Sequence, residues 1–106
     1  MNDKKTNTLS DTNKRFKEIA DAYIDVGNHY LDKYSQDLVG SAFVYGAARF
    51  SSFIVASGSG NLEVYKANRE AAIKHFTAQF QRMLEENLSN YESSFQEEKK
   101  YKKYMK

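Results

Sequence analysis

The sequence predicts an all-α fold: a helical hairpin followed by a long third helix, packed as a three-helix bundle that dimerises. Three observations predict it. The 106 residues include no proline, and proline is what punctuates loops and strand edges. Three long stretches repeat apolar residues every three or four positions, and none alternates as a strand would. Two short polar breaks, around Ser35 and at 57–61, separate those stretches.

The first helix is expected from about Thr12 to Tyr34. Phe16, Ala20, Tyr23, Ile24, Gly27, Tyr30, Leu31 and Tyr34 form its apolar stripe. Ser10, Asp11 and Thr12 are candidate N-caps. Gly27 costs roughly 1 kcal/mol of helix propensity against alanine. Its place on the stripe implies that another helix comes close there. Ser35 then reads as the N-cap of the second helix, with Asp37 in the first turn, where the macrodipole favours an acid. A turn this tight makes the first two helices antiparallel neighbours.

The second helix is the most informative stretch. Residues 38–56 carry one charge, Arg49, and are otherwise apolar, small or hydroxylic. One face holds Leu38, Val39, Phe43, Phe50, Phe53 and Ile54. The opposite face holds Gly40, Val44, Ala47, Ala48, Ser51 and Val55. A helix with its back in water would carry Lys or Glu there, so this one is expected to be covered on both sides. Val44, Ala47, Ala48, Ser51 and Val55 are smooth enough to form an isologous dimer face.

Gly58 or its neighbours should end the second helix near Ser57, and Ser59 or Asn61 should cap the third. No lysine or preceding strand accompanies this glycine-rich break, so it is a turn and not a phosphate loop. The third helix starts near Leu62. Its stripe runs through Tyr65, Ala72, Ile73, Phe76, Phe80, Met83, Leu84 and Tyr91, with Arg69 and Asn87 on it, and weakens after Tyr91. The chain thus divides into a disordered basic tail over 1–11, one helical domain over 12–95 and a basic tail over 96–106.

Composition excludes several chemistries. There is no cysteine, hence no disulfide, thiolate zinc site or cysteine nucleophile. The net charge of +2 is too small to imply a nucleic-acid or membrane partner, and neither is expected. The polar N-terminus has no apolar core of a signal peptide, which leads to an expected cytoplasmic location. A membrane span by the second helix would place Arg49 near mid-bilayer, at a cost of roughly 2.5–3.5 kcal/mol.

The candidate chemistry is sparse. Asp21, Asp25, His29 and Asp32 share one side of the first helix and read as a solvated acidic face, with no metal expected. Arg49 and Arg69 fall on apolar stripes. Each should pair with an acid, a tyrosine hydroxyl or a helix C-terminus, or snorkel at a helix edge, or else contact an anion. His75 has no serine or acid spaced to suggest a triad. In the tail, Lys99, Lys100, Lys102 and Lys103 interleave with tyrosines, a pattern that could meet phosphates and stack on bases. No catalytic residue and no cofactor motif is found.

Ala47-Ala48-Arg49-Phe50-Ser51-Ser52-Phe53, together with Phe76, the run Met83-Leu84-Glu85-Glu86-Asn87-Leu88 and Tyr91, resembles the core of a small bacterial helical family, DUF3144, whose function is unknown. The resemblance covers about residues 20–91. It implies no activity and no catalytic residue. It does imply that Arg49 belongs to a recurring helical unit. The expected function is a non-enzymatic interaction or assembly module: a homodimer with an unknown protein partner. The alternative is binding of nucleic acid or an anionic surface through the basic ends. The third possibility is a small-molecule site with Arg49 as anion anchor.

Overall fold

The computed structural model describes residues 8–96. These fold as three α-helices: α1 (Leu9–Leu31), α2 (Gln36–Ser59) and α3 (Leu62–Phe95). No strand occurs among the described residues, and the fold is all-α. Two compact units are distinguished, Met1–Phe50 and Ser51–Lys106, with the division inside α2.

In the first unit, α1 begins earlier than its apolar stripe suggests. Thr8 is the N-cap, its hydroxyl accepting from the Asp11 amide at 3.1 Å. A side chain three residues upstream thus takes the capping role expected of Ser10, Asp11 or Thr12. The helix closes at Asp32, whose N–H reaches the carbonyls of His29 and Tyr30, so Tyr34 lies in the turn. The Ser35 hydroxyl accepts from the Leu38 amide at 3.2 Å and caps α2 as expected.

The close approach implied by Gly27 is present. Gly27 is buried, and a Cβ built on it would lie 2.7 Å from Cε2 of Phe43 on α2. A hydrogen atom in place of a methyl is what lets the Phe43 ring lie on the backbone of α1.

In the second unit, α2 runs on through Gly58 to Ser59. The left-handed residue is Gly60, at φ +82°, and not Gly58. The extra turn is tied by the Ser59 hydroxyl, which donates to the Val55 carbonyl at 2.7 Å. Asn61 caps α3, accepting from the Val64 amide at 2.9 Å. The half-buried or buried positions of this unit are Ser51, Val55 and Ser59 on α2, and Tyr65, Ala72, Phe76, Gln79 and Ser94 on α3.

Within the chain itself, α2 is not covered on both sides. None of the residues in its most apolar window is buried. More broadly, no apolar side chain among the described residues is fully buried. The physical reason is that one helix packed on another buries a single stripe of each, and the remaining sides stay open.

Substitutions at three positions test this packing. Gly27→Ala should lower the melting temperature although alanine is the better helix former, because the Phe43 ring must move. Adding Phe43→Leu should relieve that loss, giving a coupling of at least about 0.5 kcal/mol in a double-mutant cycle by thermal denaturation. Gly60→Ala should destabilise by about 1 kcal/mol, since alanine is strained at positive φ.

Candidate functional site

Arg49 and Arg69 are both exposed. Neither makes a hydrogen bond or ion pair among the described residues. Among the described residues the expected contact of Arg49 with an acid or tyrosine hydroxyl is not made. Arg49 is placed on an open side of α2, so water satisfies its guanidinium and no buried partner is required.

The acidic run of α1 remains a ladder along one side of the helix. Asp21, Asp25, His29 and Asp32 are all exposed. No three His, Asp or Glu side chains converge among the described residues. His29 instead stands edge-on to the Tyr30 ring, with centroids 5.4 Å apart, and His75 stands likewise to Phe76 at 5.1 Å. Asn87, which the sequence places on the stripe of α3, turns its amide back to donate to the Met83 carbonyl at 2.8 Å.

One shallow recess lies at the turn between α2 and α3, lined by Ala56, Gly60, Asn61, Leu62 and Tyr65. It holds no charged side chain, and Arg49 is not part of it. An anion would meet no charged group there, only the Asn61 Nδ2 group, the Tyr65 hydroxyl and main-chain amides at the start of α3.

The small-residue face of α2 is divided. Val44, Ala47 and Ala48 are exposed, whereas Ser51 and Val55 are half-buried. The last two are thus partly used inside their own unit. Lys99, Lys100, Lys102 and Lys103 lie outside the described residues. By length and composition α2 is also apolar enough to cross a membrane, a property it shares with core helices of soluble proteins.

The feature that sequence reasoning missed is on α3. Its apolar residues form two neighbouring stripes and not one. Tyr65, Ala72 and Phe76 make the half-buried stripe. Ile73, Phe80, Leu84, Leu88, Tyr91 and Phe95 make an exposed one, with Phe80 at 56% and Leu88 at 59%. The signal was available: Ile73, Leu84 and Phe95 are spaced by eleven residues, as are Phe80 and Tyr91. Eleven residues are close to three whole turns, so the repeat drifts only about 20° each time and keeps these side chains on one face.

An exposed arginine with no partner among the described residues gives a plain expectation. Arg49→Met should change stability by no more than about 0.5 kcal/mol, read as a melting shift of a few degrees at most. A large drop would mean that the guanidinium has a partner after all.

Comparison with curated proteins and with solved structures finds no match. A family model, that of the protein of unknown function DUF3144, matches residues 16–92, which takes in α2 entirely, most of α1 and all but the last turn of α3. The chain belongs to the DUF3144 family.

Proposed function

We propose that this chain is a non-enzymatic assembly module that pairs with a second copy of itself in the cytoplasm and offers the pair's surface to a protein partner. The observation that carries this reading is the exposure of its large apolar side chains. Phe16 is 63% exposed and Tyr45 66%, and every helix carries others about half open. An aromatic side chain has roughly 150–250 Å² to bury. Half of that on some eight residues already supplies the roughly 800 Å² per partner that a stable complex needs. Soluble monomers rarely leave contiguous apolar patches beyond a few hundred Å² in water.

Sedimentation equilibrium at micromolar concentration tests the proposal. The expected result is a dimer whose melting temperature rises with protein concentration. A strict monomer overturns it, and so does recovery of the protein in the membrane fraction of its native cell. The alternative function, nucleic-acid or anionic-surface binding, would instead appear as salt-sensitive retention on DNA or RNA that is lost when residues 96–106 are removed.

A further inference from the structure

The exposed stripe of α3 has a shape and a charge pattern that select one occupant. We infer that the second copy docks along this stripe antiparallel, with Leu84 on the two-fold axis. This rests on the self-association proposed above and names the face it uses.

Three observations support it. First, α3 is much longer than its companion in the same unit: α2 contributes residues 51–59 there, against 34 residues of α3. Most of α3 has no neighbouring helix in that unit, and from Phe80 to Gln96 every described residue except Ser94 is exposed. Second, the eleven-residue spacing holds the stripe from Ile73 to Phe95 on one side of the helix, over about 33 Å at 1.5 Å per residue. The stripe drifts by only about 40° over that length, so a second copy can follow it with a slight right-handed wrap. Centring the two copies on Leu84 sets Ile73 opposite the other copy's residue 95, and Phe80 opposite its residue 88. These two kinds of layer each join one larger and one smaller side chain around a central leucine pair, which fills space without overpacking.

Third, the charges beside the stripe are complementary only in the antiparallel sense. Lys74 and Glu92 lie on the same flank of the stripe, eighteen residues apart, five whole turns of helix. Reversing one copy about Leu84 brings each Lys74 within about 3 Å, along the axis, of the other copy's residue 92. A parallel pair would instead set lysine level with lysine and glutamate with glutamate. Glu85, nearer the two-fold axis, is turned further from the stripe and already accepts from Gln81 of its own helix at 3.0 Å.

Charge exchange in the full chain tests the register. Lys74→Glu and Glu92→Lys should each raise the dimer dissociation constant roughly tenfold, because each creates two like-charged contacts. The double variant carrying both changes should return to within about threefold of the unaltered protein. Residues 74 and 92 are about 27 Å apart along one helix, so the rescue can only occur between copies. Leu84→Glu should give a monomer whose helix content by circular dichroism is retained. If the single variants weaken the dimer and the double does not restore it, the antiparallel register is wrong. If the dimer ignores all four variants, self-association stands and another face carries it. If no dimer forms in the unaltered protein, the self-association itself is refuted.

Discussion

The rest of the structure depends on how little room the two turns leave. Four residues separate α1 from α2, and two separate α2 from α3. Connections this short oblige consecutive helices to run back along one another. They also fix which residues meet first. In the first unit that meeting is Gly27 against Phe43, a contact possible only because one partner lacks a Cβ. In the second it is the tightened end of α2, where Ser59 is tied to Val55 just before Gly60 reverses the chain. Two capping side chains, Ser35 and Asn61, then satisfy amides that the helix starts leave open.

A helix pair held this way buries one stripe per helix, and the sequence has far more apolar surface than one stripe. Ordering each residue costs on the order of 1–2 kcal/mol of backbone entropy. Burial returns roughly 25 cal/mol per Å² of apolar area. With no fully buried apolar side chain among the described residues, the balance for a lone chain is poor. This thermodynamic shortfall, more than any single residue, is the reason to look for function in association.

The parts of the fold legible in the sequence were those set by local chemistry. Three helices follow from periodicity and the lack of proline. Ser35 and Asn61 follow from capping rules, and the Gly27 contact from a glycine on an apolar stripe. What was not legible depended on contacts between faces. On α2 nearly every position is apolar or small, so periodicity could not say which side packs within the chain and which is left open. The same uniformity made Arg49 look buried. On α3, counting apolar positions merged two adjacent stripes, because a half-buried Phe76 and an exposed Phe80 look alike in a list of spacings. The N-cap of α1 was missed because Thr8 lies outside the apolar stripe that marked the helix.

Arg49 also bears on which solvent surrounds α2. It is the only charged residue between Asp37 and Glu63 and sits close to the middle of the helix. In a bilayer that is the costliest place for a guanidinium. In water the same residue costs almost nothing. A single charge in an exposed apolar stretch also works as a gatekeeper, hindering indiscriminate stacking of that face on other chains. The exposed stripe of α3 between Ile73 and Phe95 has no such charge on its line, and Lys74, Glu85 and Glu92 stand along one flank of it. One helix therefore carries its charge where it discourages close apolar contact, and the other carries charges where they can set the register of one. That difference is why association is assigned to α3, although α2 is the more hydrophobic helix.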